Sequence, residues 1–182
     1  MTRVYLSLGS NVGDRLAVLR SAVRRLYGLQ AVRFVDASPL YDSEPWESEP
    51  AQTAGEQRWY LNCVVAIDTS LTPRALLAEL QTIESALGRT RPPGTPEAQR
   101  FAPRTLDIDI LLYGDQVLSA GDDLQIPHLF LAERGFVLRP LADLAPELEH
   151  PALYRSVREL LAELTDEHDV RAGAYPARWF ED

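Results

Sequence analysis

Hydrophobic and polar positions follow one another along this chain in patterns that predict its secondary structure. Runs rich in β-branched and other apolar residues, typical of strands, cover 4–8, 31–41, 59–69 and 106–113, and Gly9-Ser10-Asn11 after the first run is typical of a turn. Between the first two runs, and again between the last two, apolar residues recur every three or four positions, as in amphipathic helices. The helical stripes are Leu16, Leu19, Val23 and Leu26 in the first helix, and Leu76, Leu77, Leu80, Ile83 and Leu87 in the second.

The order of these elements, β-α-β-β-α-β, indicates the fold class. It is the order of a ferredoxin-like α+β core, in which an antiparallel sheet carries both helices on one face. Beyond residue 114 the pattern predicts an extra hairpin and further helices, including one over 156–166. For 182 residues we expect a single domain 1–182, with its core in about 1–150 and a peripheral C-terminal helix and acidic tail in 151–182.

Two connections are too rich in proline and small polar residues to predict regular structure. The first spans 42–58, and the second, 90–99, holds three prolines and a glycine. Long loops of this kind often act as lids over a site, so the chain has two candidate lids.

Asp107 and Asp109 occupy alternate positions of the fourth strand, among apolar neighbours. A period of two places both carboxylates on one face of the strand, about 6–7 Å apart. Carboxylates this close repel each other unless a cation lies between them, and a hard dication with oxygen ligands meets that need. The pair predicts a magnesium site; the alternative is that both aspartates simply face water.

Arginines that precede this strand favour the metal site. The segment 89–104 contains a single acid, Glu97, although the formal net charge of the chain is -9. Its four arginines are Arg89, Arg91, Arg100 and Arg104. A dication held by aspartates, with arginines in an adjacent loop, can bind a polyphosphate and stabilise charge during phosphoryl transfer.

An absence in the composition narrows the chemistry further. All 18 Lys+Arg residues are arginine. The lysine-dependent mechanisms of P-loop enzymes, of protein kinases and of Schiff-base enzymes are therefore excluded. The negative net charge also argues against a nucleic-acid partner, because basicity is confined to one loop.

The one cysteine and the lack of long apolar segments bear on location. Cys63 lies in the apolar run CVVAI, which predicts a buried, reduced thiol and excludes a disulfide within the chain. No apolar run approaches the roughly 20 residues of a membrane span, and the N-terminus lacks a signal-peptide pattern. We expect a cytoplasmic protein without a membrane partner, as a monomer or homodimer.

Other polar positions stay open from the residues alone. Asn62 lies among apolar residues of the third strand, where either a loop backbone or a heterocyclic ligand could satisfy its amide. His128 follows a proline and either meets a phosphate or lies unliganded at the surface. Gln81 and Glu84 share one helix face, which in most helices is solvated.

Taken together, these segments resemble the 6-hydroxymethyl-7,8-dihydropterin pyrophosphokinase family of folate biosynthesis. The matching stretches are LGSNVGD at 8–14, SPLYDSEPW at 38–46, YLN at 60–62, QTIE at 81–84, GRTR at 88–91, RFAPRTLDIDILLYG at 100–114, IPH at 126–128, RGFVLRPL at 134–141 and APEL at 145–148. They keep the family's order over most of the chain, and the PRTLDIDIL block is highly specific.

The resemblance implies transfer of pyrophosphate from MgATP to the hydroxymethyl group of the pterin, giving AMP and the pterin diphosphate. It implies that Asp107 and Asp109 hold two Mg²⁺ ions, with both aspartates counted as catalytic together with Arg89, Arg91 and Arg104. The implied ATP-binding residues are Gln81, Glu84, Arg89, Arg104, Ile110, Gln125, His128 and Arg134. The implied pterin-binding residues are Ser43, Glu44, Pro45, Trp46, Tyr60, Asn62 and Phe136. The pterin ring would stack between Tyr60 and Phe136.

Three other functions compete with this interpretation. A two-metal nucleotidyl transferase or cyclase can also place two aspartates on such a sheet, but it would not need Tyr60, Asn62 or Phe136. A ferredoxin-like RNA-binding module would need exposed aromatic residues on that face and a basic charge. The third alternative is a diverged, non-catalytic binder of the same ligands.

Overall fold

A computed structural model describes residues 1–45, 59–88, 105–121 and 123–181 of the chain. The strands are β1 (Thr2–Ser10), β2 (Val32–Ala37), β3 (Tyr41–Ser43), β4 (Tyr60–Thr69), β5 (Asp107–Tyr113), β6 (Leu118–Ser119), β7 (Gln125–Ile126), β8 (Glu149–His150), β9 (Arg155–Ser156) and β10 (Val170–Ala172). The helices are α1 (Arg15–Tyr27), α2 (Pro73–Ala86), α3 (Gly135–Leu144) and α4 (Val157–Ala162), with a 3₁₀ turn at Leu131–Glu133.

An antiparallel sheet of six strands organises these elements. Its order is β10-β3-β4-β1-β5, and β2 pairs with β4 alongside β3. The short pairs β6–β7 and β8–β9 stand apart from it. The strand expected over 31–41 is divided into β2 and β3 around Pro39, which has no N–H to donate to a neighbouring strand. The mixed α and β class and the antiparallel sheet are confirmed.

Local signals account for the ends of the two long N-terminal helices. The Asp14 side chain accepts a hydrogen bond from the Ala17 N–H, at 3.0 Å, and so caps α1. Thr72 caps α2 in the same way, and Pro73 occupies the first helical position. Gly88 follows α2 with a φ of +93°, a backbone conformation that glycine adopts without strain. Both helices lie where the apolar periodicity predicts them.

Two hydrophobic clusters lie on opposite faces of the sheet. The first cluster packs α1 and α2 against alternate strand residues, including Leu6 of β1 and Ile108 of β5. The second packs α3 and α4 against residues of the opposite parity, including Tyr5 and Val64. The first two helices therefore share one face, as predicted, while the C-terminal helices cover part of the other.

A row of three charged residues lies across three neighbouring strands at one end of the sheet. Asp68 of β4 is paired in register with Arg3 of β1 and Arg33 of β2. Arg3 Nε lies 2.7 Å from Asp68 Oδ1, and Arg33 Nη2 contacts Oδ2. Hydrogen bonds from both guanidinium groups, that of Arg3 foremost, lower the pKa of the Asp68 carboxyl.

The C-terminal tail is not peripheral, contrary to the prediction. Trp179 is fully buried and Phe180 nearly so, and both belong to the first hydrophobic cluster. The Trp179 indole N–H donates to the Ser38 carbonyl oxygen at 2.8 Å, and the Trp179 carbonyl accepts from Arg20 Nε at 2.6 Å. β10 also joins the main sheet as an edge strand. The composition of the tail, which is acidic overall, did not predict this role, because the packing is provided by the two aromatic side chains of Trp179 and Phe180.

Candidate active site

The two aspartates lie where strand periodicity predicts them. Asp107 pairs with Gly9 and Asp109 with Ser7 across the β1–β5 ladder. Ile108, between the aspartates, packs into the first cluster, so both carboxylates lie on the face that carries α3. The Asp109 side chain is 42% exposed, and Asp107 is half-buried. Both can therefore meet a ligand from solvent.

Glu84 ties β5 to α2 between these aspartates. Its Oε1 accepts a hydrogen bond from the Ile108 N–H at 2.7 Å, and the residue is 5% exposed. This burial differs from the solvated helix face expected for the pair with Gln81, which is itself exposed. A carboxylate on a helix thus supports the strand that carries the predicted metal ligands.

Asn62 lies in the same cross-strand row as Asp107. The row runs from Tyr41 through Asn62 and Gly9 to Asp107. The Asn62 amide Nδ2 donates to Ser43 Oγ at 2.7 Å, and both side chains are buried. The Asn62 amide therefore has a side-chain hydroxyl as one partner, and a ligand could bind its remaining polar atoms.

Gly9 has a structural role that the sequence did not reveal. The expected turn at Gly9-Ser10-Asn11 is wrong for its first two residues, because β1 continues through Ser10. A Cβ at Gly9 would lie 2.8 Å from Asn62 Oδ1, closer than atoms can approach. Only glycine at this position leaves the amide where it is.

His128 approaches the aspartates from the segment after β7. Its backbone N–H donates to the Leu111 carbonyl at 2.9 Å, and its Nε2 lies 4.0 Å from Asp109 Oδ2. Burial, together with the positive charge of Arg134, lowers the pKa of the imidazole to about 4, while Asp107 acts in the opposite direction. The ring is therefore neutral at pH 7 and can offer a hydrogen bond without a charge.

Arg134 and Phe136 lie at the N-terminal end of α3. The Arg134 guanidinium carbon lies 4.5 Å from the Phe130 ring centroid and 5.6 Å from that of Phe136. These distances are in the range of cation–π contacts, which favour a defined position of the guanidinium. The His128 ring lies beside the Phe130 ring, with 6.1 Å between their centroids. The two predicted phosphate contacts and a predicted pterin contact are thereby neighbours.

A second group of predicted residues lies where β3 and β4 meet, a place that we call the β3–β4 wall. Tyr60, the first residue of β4, pairs with Ser43, the last of β3. Glu44 follows, with its backbone N–H donating to the Asp169 carbonyl at 3.0 Å. Tyr60, Glu44 and Pro45 are all half-buried, so their surfaces remain open to a ligand.

Two more of the predicted residues do not join this group. Gln125 is exposed on β7, and Ile110 is buried in the first cluster. Trp46, Arg89, Arg91 and Arg104 lie outside the described residues. Within residues 1–45, 59–88, 105–121 and 123–181, no three His, Cys, Asp or Glu side chains are arranged to hold a metal ion. None of the helices in these ranges has the length and apolar character that a membrane crossing requires.

Cys63 takes no part in this arrangement. It lies in β4 on the face that packs against α1 and α2, fully buried as predicted. Burial raises the pKa of its thiol. The side chain therefore serves packing rather than nucleophilic chemistry.

Comparisons with known proteins agree on one family. Residues 5–146 match the model of the 7,8-dihydro-6-hydroxymethylpterin-pyrophosphokinase (HPPK) family. A 2-amino-4-hydroxy-6-hydroxymethyldihydropteridine pyrophosphokinase of Methylorubrum extorquens is 46% identical over 165 residues, covering 90% of this chain and 94% of the relative. The protein of the same name from Pseudomonas aeruginosa is 44% identical over 160 residues, covering 88% and 90%.

The fold also occurs among solved structures. A triple mutant of Plasmodium falciparum HPPK-DHPS, crystallised with SDX-DHP, superposes with a TM-score of 0.65 at 16% identity. The superposition covers 89% of this chain and 44% of that longer chain, so it speaks for the fold alone. The family model matched over residues 5–146 and two relatives at 46% and 44% identity over most of the chain show that this chain belongs to the HPPK family.

Proposed function

We propose that this chain transfers the pyrophosphate of MgATP to the hydroxymethyl group of 6-hydroxymethyl-7,8-dihydropterin, giving AMP and the pterin diphosphate for folate synthesis. Membership of the pyrophosphokinase family carries the reaction. The observation that carries the site is one cross-strand row, in which the amide of Asn62 and the carboxylate of Asp107 flank Gly9. An amide that could recognise a heterocycle and a carboxylate that could bind a metal ion beside the phosphates thus lie on one face of the sheet.

The pterin would lie between the β3–β4 wall and the first turn of α3. Ser43 and Asn62 support this assignment, since their buried hydrogen bond fixes an amide edge for a heterocycle to recognise. Tyr60 and Phe136 would provide the stacking faces on either side. Glu44, Pro45 and Trp46 would contact the ring from the adjoining connection.

The nucleotide phosphates would lie nearer His128 and Arg134. A neutral imidazole and a guanidinium beside it suit phosphate oxygens, because one donates a hydrogen bond and the other adds positive charge. Arg89, Arg91 and Arg104 would close on the phosphates from the preceding loop, with Gln81, Ile110 and Gln125 nearer the nucleoside. Glu84 would act indirectly, by accepting the hydrogen bond from the Ile108 N–H of β5.

Asp107 and Asp109 would hold the magnesium ions. The donor set fits, because Mg²⁺ is commonly bound by one or two carboxylates that share it with substrate phosphates and water. Two carboxylates on one strand face meet that pattern without a third protein ligand. When bound, the ions would neutralise charge on the transferred group.

Positioning can supply the remaining catalysis. The nucleophile is the hydroxyl of the substrate, so the chain needs no nucleophile of its own. Holding that hydroxyl against the β-phosphorus in a site closed to water raises its effective concentration and limits hydrolysis. The residues that fix the pterin are thus as important for rate as those that bind phosphate.

The arrangement of the core supports two further proposals about architecture. The strand order β3-β4-β1-β5, with α1 and α2 on one face, agrees with a ferredoxin-like core. The burial of Trp179 in the first cluster favours a single domain extending to the C-terminus.

Product analysis by phosphorus NMR tests the function directly. Mixing the protein with ATP, magnesium and 6-hydroxymethyl-7,8-dihydropterin should give AMP and pterin diphosphate in equal amounts, and EDTA should stop the reaction. Omitting the pterin is the control and should leave ATP intact. Free pyrophosphate together with a nucleotidylated product would instead support a nucleotidyl transferase and contradict the proposal.

A further inference from the structure

The N-terminus of α3 receives its cap from a distant part of the chain. Helix N-termini expose backbone N–H groups that need acceptors, and Arg134, the residue before α3, makes no capping hydrogen bond with its side chain. The Gly135 N–H instead donates to Asp166 Oδ2 at 2.7 Å, across 31 positions of sequence. Asp166 thus performs the capping role for a helix to which it does not belong.

The Asp166 carboxylate is held firmly in this position. Its side chain is only 1% exposed. Its second oxygen, Oδ1, accepts from the His168 backbone N–H at 3.0 Å and lies 2.6 Å from His168 Nδ1. A buried carboxylate costs free energy unless its oxygens are paired, and negative charge is favoured at a helix N-terminus. Both requirements are met at this one place.

Gly135 allows the close approach. A Cβ at Gly135 would lie 3.1 Å from Asp166 Oδ2 and 3.5 Å from Val170 Cγ2. A side chain here would be tighter than ordinary packing, so Asp166 or the backbone of α3 would have to shift. The contact is therefore made directly on the backbone between Arg134 and Phe136, two of the residues proposed to meet substrate.

The same C-terminal segment also contacts the β3–β4 wall. The Asp169 N–H donates to Glu44 Oε2 at 2.9 Å, and the Asp169 carbonyl accepts from the Glu44 N–H. Val170 then pairs with Ser43. Residues 166–170, which we call the C-terminal brace, thus join the first turn of α3 to the end of β3.

We infer that Asp166 is a positioning residue for the pterin. Through the Gly135 N–H it holds the first turn of α3 and thereby the adjoining Phe136, one of the two residues proposed to stack on the ring. This inference rests on the proposed function. It goes beyond the family comparison, because Asp166 lies outside the matched residues 5–146.

Steady-state kinetics of Asp166→Ala test the inference. At saturating MgATP, and well below the melting temperature of the variant, the KM for the pterin should rise about fivefold, which is what the loss of cap stability amounts to if it is expressed fully in pterin binding. The kcat at saturating pterin should stay within about twofold of wild type, since bound substrate restores the turn. Asp166→Asn keeps an oxygen for the Gly135 N–H and should recover part of the pterin affinity.

Ser156→Ala is the matched control. Ser156 caps α4 in a capping box with Glu159, ten positions before Asp166. The variant should lose thermal stability and leave the pterin KM unchanged. If Asp166→Ala likewise lowered only the melting temperature, Asp166 would be structural and the inference would be overturned.

Gly135→Ala provides a second route to the same contact. The added methyl group should separate α3 from the C-terminal brace and raise the pterin KM, with little further increase in the Gly135→Ala/Asp166→Ala double variant. Should Asp166→Ala fail to fold, an unchanged pterin KM in Gly135→Ala would still refute the role of Asp166. Failure of the wild-type protein to form pterin diphosphate would refute the proposed function itself, before any variant is compared.

Discussion

At the scale of single residues, the proposed chemistry depends on two carboxylates that do not contribute to a hydrophobic core. Asp107 and Asp109 alternate with core isoleucines, and the Asp109 side chain is 42% exposed. Two like charges on one face cost free energy in the absence of a cation. Their role is therefore to be sought in ligand binding rather than in stability.

Asp109→Asn should lower kcat by at least about a hundredfold, because the amide has the same shape but no longer supplies charge to a cation on the phosphates. AMP formation across a magnesium titration would measure the effect, and circular dichroism would verify that the fold is kept. Asp115→Asn makes the same change at an exposed position just beyond β5 and should be neutral. Wild-type kcat in Asp109→Asn would contradict the metal assignment.

At the scale of secondary-structure elements, β1 connects the two halves of the site. It pairs with β4, which carries Asn62, and with β5, which carries Asp107. Gly9 lies between these two residues, and the missing side chain leaves room for the Asn62 amide. The geometry of the proposed pterin side thus depends on a strand that contributes no polar side chain of its own at this row.

Gly9→Ala should raise the pterin KM by about tenfold while leaving the ATP KM within about twofold, because the new Cβ displaces the Asn62 amide and not the phosphate contacts. Initial-rate kinetics with each substrate varied in turn would separate the two constants. Gly28→Ala is the control, since its Cβ would meet its nearest neighbour, the Arg25 carbonyl oxygen, at 3.4 Å. Equal changes in both KM values would show that β1 had shifted as a whole.

At the scale of the whole molecule, the C-terminal residues belong to both the core and the site. Trp179 packs with α1 and α2 and donates to the Ser38 carbonyl, where β2 gives way to β3. The C-terminal brace contacts α3, on the other face, and pairs with β3 within the sheet. The last segment of the chain therefore stabilises the elements that carry the proposed pterin contacts.

Trp179→Ala should reduce the free energy of unfolding by about 3–5 kcal/mol, the usual result of removing a large buried aromatic side chain. Urea denaturation followed by circular dichroism would measure it. Leu153→Ala removes a side chain from a residue that is 48% exposed and should cost less than about 0.5 kcal/mol. A similar small loss for Trp179→Ala would restore the view that the tail is peripheral.

Features that depend on neighbouring residues can be predicted from this sequence, whereas contacts between distant residues cannot. The caps of α1 and α2 and the alternation around Asp107 are local, so a few neighbouring residues predict them. Glu84 was expected on a solvated face, because its partner, the Ile108 N–H, lies in another element. Asp166 carries no local signal either, since its partner lies 31 residues earlier.

The sequence by itself determined the order of strands and helices through β5, apart from the division of the second strand at Pro39. It also determined the common face of Asp107 and Asp109, the burial of Cys63 and the resemblance to pyrophosphokinases, because periodicity and motifs are properties of adjacent residues. Only the tertiary structure decided which residues meet across strands. It brought Gly9 against Asn62, His128 towards Asp109 and Asp166 onto Gly135. Those contacts depend on strand register and on the path of distant segments, which no local pattern encodes.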